Sequence, residues 1–183
     1  PRCVEIAVFA VALEAWRYPD ERGQPLGERE IPAPRIACCG LQVAASVEET
    51  MELGRRLGER LKAGDVVGLY GGLGAGKTVF AKGIAQGMGI TEEVTSPTFT
   101  LMRLYQAALP LCHFDLYRIE EEAELEHIGF GDYIGGDCVC VVEWAGHAPS
   151  LHPDICVHID CSGDDERIIE ISFKEDPDEY SRY

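Results

Sequence analysis

Gly71-Gly72-Leu73-Gly74-Ala75-Gly76-Lys77-Thr78 decides how the rest of the chain is read. The stretch fits G-x-x-x-x-G-K-[ST], a loop that cradles phosphates. Its glycines permit positive φ and let backbone N–H groups converge on anionic oxygens. A helix following directly adds the partial positive charge of its N-terminus. Lys77 supplies a full charge for β- and γ-phosphates, and the Thr78 hydroxyl supplies a ligand for Mg²⁺. Gly72, Leu73, Gly74, Ala75, Gly76, Lys77 and Thr78 are therefore the candidate nucleotide-binding residues. The flanks provide the context the motif needs. Val66-Val67-Gly68-Leu69 reads as a buried strand, and Val79 to Met88 carries apolar residues at helical spacing.

Working outward toward the N-terminus, Leu41 to Ala45 reads as a short strand. Ser46-Val47-Glu48-Glu49 is a capping box that starts a helix. That helix runs to about Leu61, with Met51, Leu53, Leu57 and Leu61 near one face, and Ala63-Gly64 ends it. Toward the C-terminus, Pro97 keeps Ser96 to Leu101 out of a helix and leads into an extended segment to about Tyr105. Leu111 to Arg118 is the return strand. Period two puts His113, Asp115 and Tyr117 on one face and Cys112, Phe114 and Leu116 on the other. A carboxylate inside such a strand has to be paired or bound to metal.

Glu120 to about Gly129 reads as a charged helix and Asp132 to Gly136 as a turn. Cys138 to Trp144 is a continuous apolar run ending in Glu143. A buried parallel strand of this kind delivers an acid at its C-terminal end, where open α/β sheets bind ligands. Glu143 thus occupies a Walker B-type position, with Glu in place of the usual Asp. Asp154 to Cys161 and Arg167 to Lys174 alternate around Ser162-Gly163-Asp164-Asp165 and form a hairpin. The fold class is α/β, a three-layer P-loop NTPase-like fold with a mixed sheet, a parallel core and antiparallel hairpins. This domain spans residues 41–175. Residues 1–40 form an arm with no function assigned, and 176–183 a frayed tail.

At 183 residues and 46% hydrophobic content, the chain builds one well-buried domain. Its net charge of −16 argues against direct, tight binding to nucleic acid. From Ile119 onward there are 18 acidic and 3 basic residues, a face that is either simply solvated or docks on a basic partner. The eight cysteines form no C-x-x-C pair. Cys138 and Cys140 share one strand face and read as small core residues, and His147, His152 and His158 fit no zinc spacing. Reduced thiols suit a cytoplasmic location. No apolar run reaches membrane-spanning length.

Four segments in one order resemble the TsaE (YjeE) family, small P-loop ATPases of bacterial tRNA threonylcarbamoyladenosine synthesis. They are Leu73 to Thr78, Ser96-Pro97-Thr98-Phe99-Thr100-Leu101, His113-Phe114-Asp115-Leu116-Tyr117-Arg118 and Val142-Glu143-Trp144. The resemblance covers Leu41 to Lys174. It implies that Asp115 and Glu143 are the essential carboxylates and that Trp144 lies beside the nucleotide. Ser96, Thr98 and Thr100 would belong to a switch-like loop near the γ-phosphate. Ser46, Thr50 and Arg167 are the counterparts of residues that approach the nucleotide. Two positions depart from the family pattern: Gly72, where Asp is usual, and Ala145-Gly146-His147-Ala148.

The reaction implied is hydrolysis of ATP to ADP and phosphate, with Mg²⁺ held by Thr78 and Glu143. Glu143 and Asp115 divide metal binding and water positioning between them in an order the sequence leaves open. The implied partner is the TsaB–TsaD heterodimer, which hydrolysis would drive or reset. Two other readings stand beside this one: a nucleotide-gated binding module without productive turnover, and a small-molecule P-loop kinase.

Overall fold

The computed structural model describes residues 40–162 and 166–174. Residues 1–39, 163–165 and 175–183 lie outside the described residues, and with them the expected tail 176–183 and all of the expected arm 1–40 but Gly40. The strands are β1 (Gly40–Ala44), β2 (Val66–Tyr70), β3 (Met102–Tyr105), β4 (Leu111–Asp115), β5 (Val139–Glu143), β6 (Ile155–Cys161) and β7 (Arg167–Phe173). The helices are α1 (Val47–Gly58), α2 (Lys77–Gly87), α3 (Glu124–His127) and α4 (Phe130–Tyr133), with a 3-10 turn at Ala145–His147.

All seven strands join one sheet in the order β1-β7-β6-β2-β5-β4-β3. β2 pairs in parallel with both β5 and β6, and β4 with β5. The flanking pairs β1/β7, β6/β7 and β3/β4 are antiparallel. This is the mixed sheet expected from the strand patterns. β5 is apolar up to Glu143 because both its faces are covered. Val139 and Val141 join Phe80 and Ile84 of α2 in one core. Cys140 and Val142 join Phe130 and Ala145 in the other. In β6, Val157 and Ile159 are buried while His158 and Asp160 face outward, as alternation requires.

Ser46 caps α1 by accepting from the Glu49 amide at 3.1 Å. The Glu49 carboxylate reaches back past the cap residue and takes the Ala45 N–H at 2.8 Å. The helix ends at Gly58, short of the expected Leu61, although Leu61 still enters the core. α1 crosses α2 glycine to glycine. A Cβ on Gly54 or Gly58 would strike the carbonyls of Phe80 and Ile84, and one on Gly83 or Gly87 those of Met51 and Arg55.

Ser96 to Leu101 stays out of a helix and leads into β3 at Met102, as expected; within it Thr98 to Thr100 turn, the Leu101 N–H returns to the Pro97 carbonyl at 2.6 Å, and Leu101 has φ 63°. Two local expectations are corrected. The helix expected over Glu120 to Gly129 shrinks to Glu124–His127, because the Glu124 carboxylate accepts from the Glu120 and Glu121 amides at 3.0 and 2.9 Å. Closely spaced acids also disfavour a continuous helix there. Asp132 and Tyr133, read as part of a turn, close the helical turn α4, and Gly135 at φ 72° then redirects the chain. Among the described residues no helix is long and apolar enough to cross a membrane.

Candidate functional site

β2 runs into the glycine loop and α2 leaves it, so the loop sits at the C-terminal end of the central strand. Gly71, at φ 142°, lies so close to β6 that any Cβ would collide with the Ile159 carbonyl. Gly76 starts α2 from φ 109°, a conformation costly for any residue with a Cβ. Lys77 folds back over the loop, where its Nζ donates to the carbonyls of Gly71 and Gly72 at 2.8 and 2.7 Å. The same ammonium lies 3.7 Å from the centre of the Trp144 ring, a cation–π contact. Only 4% of Lys77 is exposed. Burial pushes its ammonium below the ordinary lysine value, opposed by the charges of Glu143 and Asp115.

Two carboxylates meet this loop from neighbouring strands. Asp115 ends β4 and Glu143 ends β5, and the two are direct register partners. Each is 2% exposed. The Thr78 hydroxyl donates to Glu143 Oε2 at 3.0 Å. The other oxygen, Oε1, lies 2.9 Å from His113 Nε2. Asp115 is held differently. Its Oδ2 accepts the Ser96 hydroxyl at 2.6 Å and the Thr98 hydroxyl at 2.5 Å, and Oδ1 accepts the Tyr117 amide at 3.0 Å. Asp115 therefore ties down the Ser96–Thr98 loop, and its burial is satisfied as a desolvated carboxylate requires.

Of the remaining site residues of the sequence reading, Thr50, Arg167 and Trp144 meet the loop, whereas Ser46 and Thr100 bond within their own segments. Thr50 is buried, hydrogen-bonded to the Ser46 carbonyl at 3.1 Å, and its methyl lies 3.8 Å from where a Gly76 Cβ would be. Ser46 serves the α1 cap. Arg167, from β7, donates through Nε to the Ala75 carbonyl at 3.0 Å, so the last hairpin touches the phosphate loop. Trp144 takes a left-handed backbone, φ 58°, that turns its ring onto Lys77 and beside Tyr117 at 5.0 Å. Leu73, at the loop tip, is exposed. The Thr100 hydroxyl turns to the Pro97 carbonyl at 3.5 Å rather than to Asp115.

Both departures from the family pattern have a local account. A Cβ on Gly72 would meet nothing within 4 Å, so the position has room for the side chain that relatives carry there. Ala145 and Ala148 enter the second core, and His147 Nδ1 lies 2.9 Å from the Ile119 carbonyl.

The model of the family described as "Threonylcarbamoyl adenosine biosynthesis protein TsaE" matches residues 44–170, which contain every one of these side chains. The chain belongs to the TsaE family. It is 46% identical over 129 residues to the tRNA threonylcarbamoyladenosine biosynthesis protein TsaE of Bacillus subtilis, covering 69% of this chain and 79% of that one. It is 44% identical over 117 residues to the protein of the same name from Treponema pallidum, covering 64% of this chain and 87% of the relative. Among solved structures, the crystal structure of YdiB from Bacillus subtilis superposes with a TM-score of 0.63 at 37% identity, over 74% of this chain and 85% of that chain.

Within the TsaE framework, two features escaped the reading of the sequence. One is the α1–α2 contact, written as Gly54-x-x-x-Gly58 and Gly83-x-x-x-Gly87, a spacing that brings helices close. The other is His113. It lies on the Asp115 face of β4 by period two, and a fully buried polar residue there needed a partner. That partner is Glu143, from the next strand.

The donors at the site also suit a hard cation. The Thr78 hydroxyl and Glu143 offer oxygen, as Mg²⁺ prefers. Among the described residues no group of three or more His, Cys, Asp or Glu side chains could hold a metal alone. A Mg²⁺ carried in by nucleotide phosphates matches that donor set.

Proposed function

We propose that this chain is a Mg²⁺-dependent ATPase that hydrolyses ATP to ADP and phosphate in the service of threonylcarbamoyladenosine formation on tRNA, with a TsaB–TsaD type heterodimer as its partner. The observation that carries the reading is the 3.0 Å bond between the Thr78 hydroxyl and Glu143 Oε2, which joins the phosphate loop to an acid on the neighbouring strand. The pathway follows from the family; the site supports the chemistry.

Phosphoryl transfer to water needs positioning and charge neutralisation rather than a covalent intermediate. The loop amides and the N-terminus of α2 bind the phosphate chain. Lys77 exchanges its bonds to the Gly71 and Gly72 carbonyls for phosphate oxygens, while Trp144 keeps its ammonium confined. Thr78 and Glu143 would hold Mg²⁺, which when bound offsets charge on the β- and γ-phosphates. Asp115, fixed on Ser96 and Thr98, sets the position of the switch-like loop over the terminal phosphate. The released proton leaves with phosphate and solvent, so no side chain has to be covalently modified.

Reconstituted tRNA modification with the heterodimer tests the role. Glu143→Gln is expected to stop modification after about one turnover per complex, because the partner can then no longer be reset. Sustained turnover by Glu143→Gln would show instead that ATP only orders a docking surface.

A further inference from the structure

We propose that His113 is a positioning residue for metal-dependent nucleotide binding, acting by holding Glu143 Oε1 so that Oε2 is presented to Thr78 and Mg²⁺. The inference rests on the functional reading above and adds to it a residue for which that reading gives no task. A carboxylate only accepts hydrogen bonds, so the 2.9 Å contact with Glu143 Oε1 fixes His113 Nε2 as the donor. The other oxygen of the same carboxylate takes the Thr78 hydroxyl at 3.0 Å. Glu143 is thus gripped from both sides. Its plane is set by one strand neighbour and one loop residue.

The surroundings argue that this contact is why a histidine stands there. His113 is completely buried, and its Nδ1 has no hydrogen-bond partner among the described residues. The other residues of β4 before Asp115 are Leu111, Cys112 and Phe114, all core side chains. A residue serving only to fill space would be apolar like them, and would leave no ring nitrogen enclosed without a partner. The ring is retained for one bond, and that bond is to the acid paired with Thr78. Groups that orient a metal ligand from behind govern its affinity for the ion, and their loss costs about 10–100-fold.

The test separates the Nε2 bond from packing. Glutamine can place an amide N–H near the Nε2 position, whereas asparagine reaches only toward Nδ1. The readout is the ratio of ADP affinities with Mg²⁺ and with EDTA, measured by calorimetry, alongside the melting temperature of each nucleotide-free protein. The wild-type chain is expected to show a clear Mg²⁺ enhancement. His113→Gln should keep it, while His113→Asn and His113→Leu should lower it by about tenfold. Placed on Glu143→Gln, His113→Leu should change the ratio no further, because the residue acts through that carboxylate. If His113→Leu fails to fold, the contrast between the Gln and Asn variants decides alone. Equal ratios in wild type, Gln and Asn variants, with Glu143→Gln alone losing the enhancement, overturn the proposal and leave the ATPase reading intact. A wild-type chain that binds no nucleotide, or binds it without regard to Mg²⁺, overturns both.

Discussion

Asp115 and Glu143 are register partners, equally buried, at the ends of adjacent parallel strands, yet their partners differ. Glu143 faces the hydroxyl of the phosphate loop, and Asp115 faces two hydroxyls of the loop that follows Thr95. The sequence left the roles of the two acids interchangeable because alternation alone places both at strand ends without saying what each meets. The structure supports assigning Glu143 to the metal and Asp115 to the switch-like loop. Asp115→Ala removes the shared acceptor of Ser96 and Thr98. Amide hydrogen exchange over residues 96–101 is expected to speed up by at least about tenfold, corresponding to loss of about 1.4 kcal/mol of local stability. Asp115→Asn, which keeps one acceptor oxygen, should speed it less. Unchanged exchange in the alanine variant would mean that the loop is held by other contacts.

At the scale of elements, the packing of α1 on α2 depends on the absence of side chains. Gly83 meets the backbone of α1 at the Met51 carbonyl, whereas a Cβ on Gly131 in α4 would touch nothing within 4 Å. Gly83→Ala is expected to destabilise the fold by about 1–3 kcal/mol, as overpacking does in a closed contact. Gly131→Ala, as control, should be neutral or stabilise by about 0.5 kcal/mol. Denaturant midpoints of the two variants check this. Equal midpoints would refute the close crossing. Elements whose apolar pattern was continuous or strictly alternating, such as β5 and β6, were legible from the chain. Those shaped by local hydrogen bonds were not. Glu124 draws two amides to itself and shortens α3, and the Leu101 N–H bonds back to Pro97, each a local hydrogen bond that periodicity cannot register.

For the whole molecule, the candidate site is assembled from segments far apart in sequence but adjacent in the sheet: the loop after β2, the ends of β4 and β5, and the start of β7. The motifs made the first three legible. His113 became visible only once β4 lay beside β5. Arg167 and Arg118, which lie beside the loops of the site, each meet a protein group. Arg167 is bonded to the Ala75 carbonyl, and the Arg118 guanidinium lies 4.6 Å from the Phe99 ring centre. On the proposed function, hydrolysis by the isolated chain is expected to be slow, with a rise of at least about tenfold when a partner reorders the Ser96–Thr100 loop or supplies a cation. A complete arginine finger is worth about 10³–10⁵. Phosphate release measured with and without the heterodimer checks this, and an unchanged rate would remove the partner from the chemistry.

The most direct measurement of the central claim is phosphate release from ATP by the purified chain with water as the sole acceptor. Release should require Mg²⁺, cease with EDTA, and fall by at least about tenfold in Glu143→Gln, which weakens the ion's hold. A Glu143→Gln variant that releases phosphate at the wild-type rate would contradict the account.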